Sequence, residues 1–383
     1  MGEKKAIAIL GFNRDFRREH RIRNEIEVFA PEYTIDGFGG EAVGGVEHFW
    51  HVERPHQLVR KIVVLLGALV PVFRIKFESR FYERYANLIR CKGYRFVIAH
   101  HVDDALIASY SGVPFLFHSH EYLPRQFDGS WVFRFTEMRY RHVAIQRILS
   151  KAVLTIVEGN RVAQEYSSVY DIPLERFATM PSMPRYHQLQ PSRSTEGGKI
   201  NLVHHGLLVP ERGIALLIDI VEALGDGYTL TLMGPGPPHY IAKLRHRAAL
   251  LGNVFVREPV SYEEIVSEIN SYDLGLIVFG SPHYHHRYMT VPNKFWECLQ
   301  ARVPVLVSPG SAMADYIHQY ECGVVGESQS LEGFVSAIRS LSRVAIIAMK
   351  DRCNSLAWSH SRDSWLVSYR ESVSRAVDES QSG

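Results

Sequence analysis

The residues with the most pointed chemistry lie in the run Met289-Thr290-Val291-Pro292-Asn293-Lys294-Phe295-Trp296-Glu297. Proline suits the first turn of a helix, and Thr290 or Asn293 is expected to cap it. Lys294 then stands in that first turn, where backbone N–H groups and the helix dipole already favour an anion. Its ammonium adds a point charge for a phosphate. Glu297, three residues on, falls on the same side of the helix. A carboxylate there can accept two hydrogen bonds from a ribose diol. The plain alternative is an amphipathic crossover helix with a surface Lys–Glu pair. A lysine opening a helix with no anion to meet is unusual, which makes that alternative the weaker one.

Two loops upstream carry glycine where a backbone must come close to something. In His204-His205-Gly206-Leu207, followed by Glu211-Arg212-Gly213, the glycine ends an apolar run and Arg212 stands just before the helical stretch 214–224. Arg212 can reach an anion held at that helix start. Gly234-Pro235-Gly236-Pro237-Pro238 is a rigid loop at the end of the next run. It lacks the Gly-x-Gly-x-x-Gly spacing and downstream acid of a nicotinamide site. Taken alone, each loop is an ordinary strand-to-helix turn.

In the first half, His118-Ser119-His120-Glu121 closes a third apolar run. Zinc needs converging ligands. His118 and His120, with His100-His101 and the group at 283–286, read as strand ends in two different domains, so no metal site is expected. There is no Asp-x-Asp chelating pair. Asp103-Asp104 reads as helix capping. Cys91, Cys298, Cys322 and Cys353 are scattered, which argues against a disulfide framework and suits packing in a reducing compartment.

These residues need a scaffold, and the chain supplies the pattern for one. Short apolar runs at 5–10, 96–100, 115–118, 154–157, 199–204, 228–233, 254–257, 274–278 and 303–307 alternate with helix-period stretches. Several are continuous Val/Ile/Leu runs, the mark of parallel strands covered by helices on both faces. A 383-residue chain, 46% apolar and 22% charged, has material for two cores. The expectation is α/β, with two Rossmann-like domains at 1–185 and 199–355. A Pro/Ser/Gly-rich linker at 186–198 joins them, and a terminal helix with tail occupies 356–383, frayed from Asp378 on.

Net charge is +2, from 43 basic and 41 acidic residues, so no global field points to nucleic acid. Residues 1–190 nevertheless hold 26 Lys/Arg against 21 Asp/Glu. The most apolar stretch, 62–73, is too short to span a bilayer. It reads as a buried helix with solvated ends, or as one resting on an anionic membrane surface through Lys61, Arg74, Lys76 and Arg80. Arg14, Arg17, Arg18, Arg21 and Arg23 read either as cations to meet an anionic lipid-linked or polysaccharide acceptor at a membrane face or, since acids interleave with them, as a solvated helix face.

The pattern Pro292-Asn293-Lys294-Phe295-x-Glu297…Pro304-Val305 resembles the sugar-nucleotide helix of retaining GT-B glycosyltransferases of family 4. Gly206…Glu211-Arg212-Gly213, Gly234-x-Gly236-Pro237 and Tyr272-Asp273-Leu274-Gly275 are similar to the landmarks that precede it there, in the same order. His118-Ser119-His120-Glu121 resembles an Asp-x-His-Glu segment of some members, and Ala357-Trp358-Ser359 their aromatic segment before a helix that crosses back. The resemblance implies two domains facing a cleft. It implies that Arg212 and Lys294 hold a donor diphosphate, Glu297 the ribose, and Gly234, Gly236 and Arg257 the nucleoside. His120 would face the transferred sugar, and Gly11 would lie in the first loop of the acceptor domain. Met289 stands where many relatives carry a first glutamate, and Leu207 where a second cation is expected; Arg287 is a candidate substitute. The implied activity is metal-independent transfer, with retention, from a UDP- or GDP-sugar and with no further cofactor. The acceptor would be a glycan, a lipid-linked or a small molecule, in polysaccharide or glycolipid assembly. A cytoplasmic location is expected, with peripheral contact at the inner membrane face. The alternatives are a sugar-nucleotide epimerase of the same fold and a catalytically degenerate binding protein.

Overall fold

A computed structural model describes residues 4–17, 19–127, 129–193, 198–279 and 288–382. Arg18, the 283–286 histidines and Arg287 lie outside them. The chain divides into two compact units. The first is Met1–Pro181 together with Leu366–Gly383; the second is Ser182–Trp365.

The first unit is built on a seven-stranded sheet, parallel throughout. Its strands are β1 (Ala6–Asp15), β2 (Thr34–Glu41), β3 (His48–His51), β4 (Val97–His100), β5 (Phe115–Ser119), β6 (Leu154–Val157) and β7 (Phe177–Thr179), in the order β3-β2-β1-β4-β5-β6-β7. Its helices are α1 (His20–Phe29), α2 (Gln57–Leu69), α3 (Pro71–Phe81), α4 (Glu83–Lys92), α5 (His101–Ser111), α6 (Trp131–Thr136), α7 (Met138–Leu149) and α8 (Asn160–Tyr170). The strand order reverses between β1 and β4. Ligands of open α/β sheets bind beyond the strand carboxyl ends at such a point.

The second unit repeats the plan with six parallel strands. They are β8 (Ile200–His205), β9 (Tyr228–Met233), β10 (Val254–Arg257), β11 (Leu274–Ile277), β12 (Val305–Val307) and β13 (Gly323–Val325), in the order β10-β9-β8-β11-β12-β13. The switch point falls between β8 and β11. Helices α9 (Ile214–Leu224), α10 (Pro238–Leu251), α11 (Ile265–Ile269), α12 (Asn293–Gln300), α13 (Ala312–Tyr320), α14 (Leu331–Arg339) and α15 (Arg343–Leu356) cover it. One core centres on Trp296 and Phe295 against Ile277, Val305 and Met313; the other on Leu217, Ile218 and Val221 against Leu230, Leu274 and Phe334. Asp273 serves this fold rather than a ligand. Buried, it accepts the Asn201 N–H at 2.9 Å and lies 3.7 Å from the Lys350 ammonium.

The structure differs from the sequence reading in four places. The apolar stretch 62–73 is not a buried helix: α2 and α3 leave much of it exposed. The final helix, α16 (Arg362–Ser382), does not fray at Asp378, because Asp378 and Gln381 bond Arg95. Tyr369, Val373 and Val377 of α16 are buried. Residues 186–193 are tied into the second unit, where Arg302 holds the His187 carbonyl at 2.8 Å and Ser192 bonds the Asn270 carbonyl at 2.6 Å. Gly11 sits inside β1, paired with Gly39, rather than in a loop. Among the described residues, no helix is long and apolar enough to cross a membrane.

Candidate functional site

In the second unit, β8, β9 and β10 end on one side and α12 begins beside them. Pro292 stands at the cap position of α12 with no side chain able to accept, and Asn293 is already the first helical residue, so Asn293 does not play the expected capping part. The N–H groups of a helix's first turn favour an anion; here that of Phe295 donates to the Pro292 carbonyl at 2.9 Å. Lys294 extends to β8, where its Nζ lies 3.2 Å from His204 Nε2. His204 in turn donates from Nδ1 to the Leu276 carbonyl at 2.7 Å, which leaves Nε2 as the acceptor for the ammonium. Burial, and then the charge of Arg212, lower the Lys294 pKa to about 7. The two cations therefore share one neighbourhood, where the charge of Arg212 outweighs that of the nearby Glu297 at Lys294. An anion between them would relieve both.

Glu297 is buried on the same helix and accepts from His205 Nε2 at 2.7 Å through Oε2. One carboxylate oxygen is thereby fixed in position. His204 and His205 were not singled out in the sequence, although their place at the end of a strand is where ligand-facing residues fall.

The glycines of this region act chiefly on the backbone. Gly206 has φ +103, and its open side faces Lys294: a Cβ there would sit 3.6 Å from Nζ. Gly234 has φ +152, and a Cβ would come within 1.9 Å of the Gly206 carbonyl oxygen. At Gly236 a Cβ would lie 2.3 Å from the Leu208 carbonyl oxygen. The Gly206 N–H donates to the Met233 carbonyl, so it is not aimed at a phosphate. Beside these loops lies a cavity of about 610 Å³ lined by Gly234, Gly236, Arg245, Arg257 and Pro259. Arg257 is exposed and bonds Glu268 at 2.5 Å.

The first unit gathers a second constellation at the ends of β4 and β5. Register pairs His100 with His118, and His120 follows two residues later. The three histidines lie in the first unit and, where the sequence reading expected no converging ligands, their ligand atoms lie within 4.8 Å of one another. One assignment of protons satisfies nearly all of them. Arg21 donates to His120 Nδ1, so His120 carries its proton on Nε2 and donates it to His100 Nδ1 at 2.9 Å. His100 Nε2–H donates to Glu25 Oε2 at 2.8 Å, and His118 Nδ1–H to Oε1 at 2.8 Å. Tyr369 Oη adds a third donor to Glu25 at 3.3 Å. Glu25 is fully buried. Burial alone would raise its pKa, but His100 and His118 hold it down at about 2. Burial and the Arg21 charge keep His120 well below the usual histidine range, hence neutral. His118 Nε2 is the one ring nitrogen of the three left without a partner. A metal cation there would meet the neighbouring guanidinium of Arg21, so this cluster is better suited to relaying hydrogen bonds than to ligation.

His101 completes the set. It opens α5 with φ +67, an uncommon value for a non-glycine residue. That turn lays its ring flat on His120, centroids 4.6 Å apart and 14° between planes, while Nε2 meets Arg14. Burial and the Arg14 charge push its pKa down to about 2. A polar cavity of about 370 Å³ opens here, lined by Arg14, Arg60, His101, Asp103, Gln126 and Arg141. The two aspartates divide their work. Asp104 is buried and accepts the Phe12 N–H at 2.9 Å, whereas Asp103 lines the cavity. His120 has both ring nitrogens engaged within the first unit. Any ligand contact it makes is by its ring face or by exchange of Arg21.

Comparison with known proteins follows the same division. Residues 199–343 match the family model described as Glycosyl transferases group 1. No curated protein matches the sequence. Among solved structures, the chain is similar to Anabaena HepE in complex with UDP and glucose, with TM-score 0.64, 12% identity, and 97% of this chain and 100% of that one covered. It is also similar to the lipopolysaccharide outer core galactosyltransferase WaaB in its apo form, with TM-score 0.67, 12% identity and coverage of 98% and 99%. WaaG, a glycosyltransferase involved in lipopolysaccharide biosynthesis, matches with TM-score 0.60, 14% identity and coverage of 94% and 98%. The fold is thus the two-domain GT-B architecture that such enzymes share.

Proposed function

We propose that the protein is a glycosyltransferase that moves a sugar from a nucleoside-diphosphate sugar to an acceptor. The observation that carries this reading is the Lys294–Arg212 pair at the start of α12, two cations whose mutual repulsion one diphosphate would relieve. HepE, in the structures compared above, binds UDP and glucose. The second unit binds the donor: Glu297, steadied by His205, takes the ribose hydroxyls, and the 610 Å³ cavity beside Gly234, Gly236 and Arg257 takes the base. The first unit supplies the acceptor pocket around Arg14, His101 and Arg141.

As the bond between anomeric carbon and phosphate oxygen breaks, charge develops on the diphosphate. Lys294, Arg212 and the α12 N–H groups stabilise that charge as it forms, so no metal is required. The leaving phosphate takes the acceptor hydroxyl proton, and the acceptor enters on the face the phosphate leaves, with retention. In the first unit, the tautomer of His120 is set by Arg21, His100 and Glu25.

The test is thermal-shift and calorimetric titration with UDP, GDP and their sugars, followed by donor turnover with and without EDTA. Stabilisation by one nucleoside diphosphate is expected, with EDTA-insensitive turnover. Lys294→Ala should lose about a hundredfold or more in turnover, the usual effect of removing one such donor. Failure of every nucleoside diphosphate to bind the wild-type chain would sink the proposal.

A further inference from the structure

We propose that the face formed by α2, α3 and α6 is a docking surface for an anionic lipid bilayer. On α2, Leu58, Ile62, Leu65 and Leu69 recur at helical spacing on one stripe, and the stripe faces outward: Leu69 is 64% exposed. The chain breaks at Val70, and α3 continues the surface with Phe73. Packed beside α2, α6 adds Phe135 and Trp131, the latter 77% exposed. Soluble surfaces rarely expose so many large apolar side chains together.

Charge identifies the occupant. The 24 residues from 54 to 77 contain no acidic side chain, and neither does 129–136. Arg54, Arg60, Lys61, Lys76 and Arg134 are exposed on these segments, and none has an acidic partner among the described residues. Arg74, the buried cation of the set, is already paired with Glu78 and Glu137. Apolar side chains to enter the acyl boundary, unpaired long cations to reach phosphates, and a tryptophan for the headgroup level are the three parts of an interfacial anchor. A protein partner would have to bring its own acidic rim; an anionic leaflet presents one everywhere. Arg60 also lines the polar cavity of the first unit, so the surface runs up to the mouth of the candidate acceptor pocket.

The experiment is flotation of the full-length chain with vesicles of phosphatidylcholine alone or doped with phosphatidylglycerol, at low and high salt. Two double variants are compared: Leu65→Glu with Leu69→Glu, and Lys61→Glu with Lys76→Glu. Wild type is expected to float with the anionic vesicles and to lose binding at high salt. Each double variant should weaken binding by roughly tenfold or more. The thermal shift by nucleoside diphosphate, read on the same variants, should be unchanged, which separates this proposal from the donor-binding one. No binding of wild type to anionic vesicles, or wild-type binding by both variants, overturns it. So does a wild-type dimer in solution that the Leu65/Leu69 variant dissociates, since the surface would then belong to a second copy.

Discussion

Lys294 is an ammonium in a place that disfavours its own charge. Burial and Arg212 bring its pKa down to about 7, from an ordinary value of 10.5. The sign of the consequence follows from proton counting. Between about pH 7 and 10.5 the unfolded chain holds a proton on this side chain that the ligand-free fold does not. This group therefore makes the free protein more stable as pH rises through that window. A bound diphosphate reverses the balance, because its charge restores the ammonium. At pH 8, binding of UDP or GDP should accordingly take up close to one proton. Calorimetric titrations in buffers of different ionisation enthalpy measure this directly. A binding enthalpy that does not change with the buffer would mean that no anion settles next to Lys294. The same side chain accounts for the hydrogen bond to His204: a neutral imidazole with its proton committed to the Leu276 carbonyl can only accept. Repulsion within a site held ready for an anion is what distinguishes this lysine from a surface ion pair.

At the scale of elements, the two glycine loops stand or fall on backbone contact. Gly234→Ala would place a methyl group 1.9 Å from a carbonyl oxygen at a φ that L residues rarely adopt. A loss of at least about 2 kcal/mol is expected, together with weakened nucleotide binding. Gly252→Ala, at φ +72 with nothing within 4 Å, should cost only about 1 kcal/mol and leave binding alone. Urea titrations of both variants make the comparison; equal losses would show that crowding at Gly234 does not matter. These contacts also mark what the sequence could tell. Interior strands such as β5 and β12 announce themselves as unbroken apolar runs, and the opening of α12 by its proline and lysine. Strand β2 does not, because Thr34-Ile-Asp-Gly-Phe-Gly-Gly-Glu41 has glycines where large rings pack; a Cβ on Gly37 would lie 2.7 Å from Phe49. Edge strands β3, β7 and β13 have three or four residues each, too few for a period. The stripe on α2 was visible as apolar spacing, but spacing alone cannot say whether the apolar side faces inward. The histidine cluster was hidden for a different reason. Its members come from β4, β5 and α1, and only the strand order β1-β4-β5 brings Glu25 to His100 and His118.

At the scale of the whole molecule, the chain opens in one unit, builds the other, and returns to the first with its last eighteen residues, Leu366–Gly383. That return is structural for the first unit. Tyr369 sits on Glu25 and packs edge-on against Phe29, Val373 and Val377 are buried, and Asp378 and Arg370 pair with Arg95 and Glu32. Burial of three such side chains contributes about 1.5–3 kcal/mol each, a large part of the 5–15 kcal/mol typical of a domain. Deleting residues 366–383 would also remove one of the three donors that stabilise the buried carboxylate of Glu25. The first unit should then unfold at a distinctly lower temperature. The second unit keeps Arg212, Lys294, Glu297 and every strand of its sheet within Ser182–Trp365. Calorimetry of the truncated chain should therefore resolve two transitions, of which only the upper one moves when a nucleoside diphosphate is added. A single transition at the wild-type temperature would mean that the terminal helix lies on the first unit without supporting it. A shift of the lower transition by nucleotide would place the donor's grip in the wrong half of the chain.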